Sequence, residues 1–192
     1  MRATKMFAAA VLVLSGLFAV SQASAQGFYI GGSVGQSDMD DGNTTGLITS
    51  GSVDGSDTGY KIFGGYEFNK HFGLELAYVD LGKASYSGTF FGAPVTGGTV
   101  ETWGLNFSAV GTLPLGSNFA LFGKVGFFTW ESKASDVTGG VPFSGKDDGT
   151  DVSYGLGASY NFTKNFGIRA EWERFKAVGD IDLLSIGVVY KF

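Results

Sequence analysis

The sequence predicts an all-β fold, an eight-stranded antiparallel up-and-down transmembrane β-barrel. Three observations predict it. Segments of about ten residues alternate large apolar side chains with small or polar ones, and eight of them follow one another along the chain. Gly makes up 32 of the 192 residues and Phe 18, while Pro is only 3, a composition that suits long strands and not a disordered tail. The apolar face of these segments carries aromatic residues at both ends, as a pair of membrane–water interfaces requires.

The N-terminus predicts export. "MRATKMF" carries Arg2 and Lys5, the stretch from Phe7 to Val20 is apolar, and "SQASA" offers a small-residue exit ending at Ala25. This is the pattern of a secretory signal peptide over 1–25, with cleavage between Ala25 and Gln26. Its apolar run is too short for a spanning helix, which needs roughly 20 residues. The barrel is then expected over 26–192, one domain of 192 − 25 = 167 residues. Its 11 Lys+Arg against 18 Asp+Glu give −7, which argues against a nucleic-acid partner. With no Cys, the chain has neither disulfides nor a thiolate metal site.

Taken in order, the strands are these. In the first, Phe28, Ile30 and Val34 oppose Tyr29, Gly31 and Ser33. The second sets Tyr60, Ile62, Gly64 and Tyr66 against Lys61, Phe63, Gly65 and Glu67. The third sets Phe72, Leu74, Leu76 and Tyr78 against Gly73, Glu75 and Ala77; the fourth, Trp103, Leu105, Phe107 and Ala109 against Gly104, Asn106 and Ser108. The fifth sets Phe119, Leu121, Val125 and Phe127 against Phe122, Lys124 and Gly126; the sixth, Val152, Tyr154, Leu156, Ala158 and Tyr160 against Ser153, Gly155, Gly157 and Ser159. The seventh sets Phe166, Ile168, Ala170 and Trp172 against Gly167, Arg169, Glu171 and Glu173; the last, Leu184, Ile186, Val188, Tyr190 and Phe192 against Ser185, Gly187 and Lys191.

The connections alternate in length. "NKH", "PLGSN" and "TKN" are short turns, whereas 38–57, 82–99 and 131–150 are rich in Gly, Ser, Thr and Asp and read as long solvated loops, with a shorter link at 176–181. "YEFNKHFGLELAY" and "YNFTKNFGIRAEW" form a weak internal repeat of one hairpin.

A soluble sandwich also has one apolar and one polar face per strand. Here the large residues lie on one face and mostly Gly, Ser and Ala on the other, which suits the inside of a narrow barrel. Two girdles favour the membrane: Phe68, Phe72, Phe119, Phe162, Phe166 and Phe192 at the short-turn end, and Tyr60, Tyr78, Trp103, Tyr154 and Trp172 toward the long loops.

By parity the inward charges are Lys61, Glu67, Glu75, Lys124, Arg169, Glu171, Glu173 and Lys191, four bases and four acids. Buried charges must pair, so the balance is expected. Glu75 and Arg169 each lie three residues beyond an equivalent aromatic, Phe72 and Phe166, on opposite walls, and are expected to pair; Lys124 and Glu171 form the next layer outward.

Chemistry is sparse. The sole His, His71, sits in a short turn and reads as a polar turn residue, not a catalytic base. Asp38, Asp40, Asp41, Asp54 and Asp57 make the first long link acidic, but the spacing of a calcium loop is absent. No catalytic, metal-ligating or cofactor-binding residues are expected, and no cofactor.

"LLSIGVVYKF" and "GYEFNKHFGLELAYVDLG" resemble the closing strand and second hairpin of the OmpA-like transmembrane domain family of Gram-negative bacteria. The resemblance implies residence in the outer membrane among its lipid and lipopolysaccharide, as a monomer. It also implies that Val188, Tyr190 and Phe192 form the signal read by the outer-membrane assembly machinery, after escort by periplasmic chaperones. Glu75, Lys124, Arg169 and Glu171 fall where that family's interior carries charges, while Val110 and Ser159 replace two others. The family's periplasmic peptidoglycan-binding domain has no counterpart in this sequence, so no tether to the cell wall is expected. The resemblance implies a structural and surface role: membrane integrity and contact through the outer loops. A narrow pore, with space over Gly65, Gly104 and Gly157, is the alternative; a lipid-modifying barrel enzyme is the remaining one.

Overall fold

The computed structural model describes residues 27–39, 48–54, 56–90, 93–138, 141–177 and 179–192; side chains are described for these except 48–54, 86–90, 93–97, 136–138 and 141–143. The signal-cleavage residues Ala25 and Gln26 lie outside the described residues, as do Asp40, Asp41 and the side chain of Asp54.

Nine strand segments form one sheet: β1 Gly27–Met39, β2 Ile48–Asp54, β3 Ser56–Glu67, β4 Phe72–Phe90, β5 Ala93–Pro114, β6 Phe119–Thr138, β7 Val141–Asn161, β8 Phe166–Lys176 and β9 Asp180–Lys191. All their pairings are antiparallel. β2 continues the line of β3 along β4, so the wall has eight strands. β1 pairs with β3 on one side and β9 on the other, with Ile30 beside both Gly64 and Tyr190, and the sheet closes. Closure leaves no open sheet edge in hydrocarbon.

The turns are built by their own side chains. Asn69 Oδ1 accepts the N–H groups of His71 and Phe72, and Thr163 Oγ1 plays the same part for Asn165 and Phe166, which is what the sequence repeat encodes. Gly116 has φ 112°, a conformation that glycine adopts without a steric penalty.

The links at 82–99 and 131–150 differ from the loop expectation. Apart from 91–92 and 139–140, they are the upper parts of β4, β5, β6 and β7, paired as far as Phe90↔Ala93 and Thr138↔Val141. Their Gly, Ser, Thr and Asp content reports solvent on the side chains and does not prevent ladder pairing. Part of the 38–57 link is likewise strand. Asp57 lies in β3, where its Oδ2 accepts the N–H of Lys83 at 2.7 Å beside the bulge at Gly82 (φ 75°). The outer rim is therefore uneven: β4–β7 and β2 rise well above the ends of β1, β8 and β9.

Outward residues are apolar and open to their surroundings. Ile62 is 68% exposed, Leu156 65% and Val188 63%. The six Phe of the short-turn girdle are exposed; at the outer girdle Tyr60 and Tyr154 are exposed and Tyr78, Trp103 and Trp172 half-buried. No water-soluble sheet presents such a belt, which marks the lipid-facing wall.

Candidate functional site: a closed, charge-paired lumen

The inward face follows the alternation of the strands, and all eight inward charges line the lumen. Six meet at its centre. Arg169 Nη1 donates to Glu75 Oε2 at 2.6 Å and Nη2 to Glu171 Oε1 at 3.1 Å. Lys124 Nζ lies 2.9 Å from Glu75 and 2.5 Å from both Glu171 and Glu173. Lys61 Nζ donates to Glu171 at 2.6 Å and also pairs with Glu173. The remaining two, Lys191 and Glu67, pair at 2.7 Å at the short-turn mouth, partly open to solvent.

Glu75, Lys124, Arg169 and Glu171 thus share one cluster. The two separate layers expected from spacing are merged, because long side chains from β4, β6 and β8 converge on the axis. Glu75 has three partners, since Tyr29 Oη also donates to it at 3.0 Å. Lys61, Glu173 and Tyr29 are full members; their inward parity was the available signal. The Arg169 guanidinium lies between the rings of Phe63 and Phe122, 4.8 and 4.2 Å from their centroids. Three bases against three acids leave the cluster neutral, the condition for burying it.

On the outer side of this cluster the lumen is filled mainly by apolar side chains, among which Ser153 donates to Asn106 at 2.6 Å and Thr102 pairs with Ser132 at 3.2 Å. Phe128 and Phe175 are fully buried with centroids 4.8 Å apart, and Val79 and Leu183 are also fully buried in the same core. Gly, Ser and Ala do occupy many inward positions, and aromatic rings share the interior with them. The space above the inward glycines is filled by rings. Gly65 lies opposite Tyr29 and Gly157 opposite Phe122 in register, and Phe128 covers Gly104. A cavity of about 70 Å³ remains at the short-turn end, lined by Glu67, Thr112, Ser159, Asn161, Arg169 and Lys191.

Outside the membrane, Lys83 pairs with Glu101 at 2.8 Å, a hydrogen bond that raises the ammonium above its ordinary pKa. At the level of the outer girdle, Arg174 forks onto Asp182 with two 2.6 Å bonds. His71 stays in its turn, Nδ1 3.2 Å from the Thr112 carbonyl. Among the described residues no group of three His, Asp or Glu could hold a metal ion.

A closed antiparallel wall, apolar outside and charge-paired inside, defines an integral membrane β-barrel. The chain belongs to the family described as outer membrane protein beta-barrel domain, which it matches over residues 7–192. Outer membrane protein A of Yersinia pseudotuberculosis is 30% identical over 199 residues, covering 96% of this chain and 54% of that protein. The Shigella flexneri protein of the same name is 27% identical with the same coverage. The chain spans about half the length of the curated relatives it matches. Among solved structures, OprG of Pseudomonas aeruginosa superposes with a TM-score of 0.59 at 16% identity, over 88% of this chain and 96% of that one. Ail, the attachment invasion locus protein of Yersinia pestis, gives 0.55 at 19%, over 89% and 100%. These two show the fold. The chain is an outer-membrane protein of the OmpA-like, Gram-negative type.

Proposed function

We propose that this barrel serves a structural and surface role: it braces the outer membrane and displays the tall β4–β7 wall to the exterior. The observation that carries this reading is the lumen. A neutral six-charge cluster and a layer of fully buried apolar side chains, including Phe128, Phe175 and Leu183, stand in series along the bore. Either layer alone opposes ion passage, the first by occupying the bore and the second by excluding water.

On this reading residues 1–25 are removed between Ala25 and Gln26, and residues 26–192 form the barrel. The girdles sit among lipid and lipopolysaccharide. Val188, Tyr190 and Phe192 present the outward stripe read by the assembly machinery, with periplasmic chaperones delivering the unfolded chain. The barrel works as a monomer and carries out no catalysis.

The second reading, a narrow pore, draws on the cavity at the short-turn end, which reaches Arg169. Single-channel recording of the purified barrel in planar bilayers separates the two. The structural reading expects a silent membrane; discrete conductance steps from monodisperse protein would replace it with the pore.

A further inference from the structure

Strand β7 is paired with β6 along its whole length, from Thr138↔Val141 to Phe119↔Tyr160. On its other side β8 pairs with it only over Ser153 to Asn161. β8 ends at Lys176 and the chain returns as β9 from Asp180, so this side of the rim is low. Above Val152, which lies level with Lys176, β7 has no strand partner on that side among the described residues. Residues 144–148 and Thr150 are exposed. A free edge of this kind leaves main-chain N–H and C=O groups available to another extended chain.

The charges along the edge select the occupant. Between Ser144 and Val152, Lys146 stands against Asp147, Asp148 and Asp151. Asp148 lies directly beside Glu131 of β6, two like charges in one cross-strand pair. Asp147 lies opposite the buried Ser132 and Asp151 opposite the buried Phe128, so these two are on the inner face and Asp148 on the outer. Asp151 also accepts from Trp130 Nε1 at 2.9 Å. The nearby cations are already engaged or opposed: Lys133 lies over the Trp103 ring, and Lys146 faces Lys133 in register. An added strand would therefore meet carboxylates on both faces of the sheet.

We propose that the β7 edge over residues 144–151 captures an extended basic peptide from outside the cell by β-strand addition. The peptide runs antiparallel to β7, in line with β8 and above its end at Lys176. The edge is roughly 26 Å long, enough for about eight residues. A second copy of this chain is a poor occupant. Two barrels in one membrane share an outward direction, so their β7 strands run the same way, and two acidic edges repel.

The test uses the full barrel in vesicles of zwitterionic phospholipid, with a synthetic decapeptide alternating lysine with threonine and valine as the probe. Binding is read by fluorescence anisotropy, and its place by amide hydrogen exchange. The expected result is saturable binding that slows exchange at alternate amides of 144–151. Methylating alternate peptide nitrogens on the strand-pairing side abolishes it. The double variant Asp147→Lys/Asp148→Lys weakens it on the order of tenfold, through lost attraction and added repulsion. Unchanged exchange in β3 and β4 shows that this variant is folded, and the N-methylated peptide tests the wild type in any case. Absence of binding overturns the proposal. So does binding indifferent to N-methylation, which would be charge attraction alone, and so does protection of 144–151 by self-association without peptide.

Discussion

Arg169 on β8 and Glu75 on β4 meet across the lumen, Nη1 to Oε2 at 2.6 Å, from opposite walls of the barrel. The contact joins residues far apart in sequence and closes the bore at the level of the Phe63 and Phe122 rings.

Arg169→Ala should cost about 2–3 kcal/mol, less than the 3–5 kcal/mol typical when a buried charge is left alone. The reason is that Glu75 keeps Lys124 at 2.9 Å and Tyr29 at 3.0 Å. The cluster is then left with two bases and three acids. Adding Glu75→Gln restores equal numbers, so the double variant should lose less than the sum of the single ones. Reversible unfolding in lipid vesicles measures all three. Additive losses would show that the two residues do not interact.

Gly157→Ala should destabilise by about 1–3 kcal/mol through overpacking. A Cβ at this position falls within the Phe122 ring and close to the Ala170 carbonyl. The same substitution combined with Phe122→Leu should recover part of the loss, since the ring is the movable obstacle. Equal stability of wild type and Gly157→Ala would mean that the ring does not cover this glycine.

Trypsin added to intact cells should leave Lys133 uncut, because β6 is paired on both sides there, to Glu101 and to Lys146. Lys70 and Lys164, in the short turns, should be cut only after the outer membrane is permeabilised. Cleavage at either lysine on intact cells would reverse the topology.

Phe192→Ser should lower the amount of folded barrel in the outer membrane while export continues. The Phe192 ring packs edge-on against Tyr190 with centroids 5.0 Å apart, and its N–H donates to the Phe28 carbonyl at 3.0 Å across the closing seam. Immunoblotting of membrane and periplasmic fractions reads the outcome. Normal membrane levels would remove Phe192 from the assembly signal.

The strands and their facing were legible because a period of two survives in each segment and the outer side must be apolar. The same parity places Lys61 and Glu173 beside Glu75 and Arg169 inside the wall. The height of β4–β7 was not legible. A solvated strand such as 144–150 has the Gly, Ser and Asp content of a loop, and only its partner at 129–135 shows that it is paired. The filling of the lumen was hidden for a related reason. Phe122 and Gly157 are both inward by parity, but that the ring covers the glycine follows from the register between β6 and β7, which neither segment states alone.

The aromatic–glycine pairs carry a consequence for descent. Phe63 stands opposite Gly31, Tyr29 opposite Gly65, Phe122 opposite Gly157 and Trp130 opposite Gly149, each ring lying over the bare backbone of its neighbour. The two positions of such a pair are not independent heritable characters. A lineage that shrinks the ring gains a void until the glycine grows, and one that enlarges the glycine first must pass through a clash. Substitutions at 63 and 31, or at 122 and 157, are therefore expected to be exchanged together among descendants of this barrel, with the singly changed intermediates, void or clash, seldom retained.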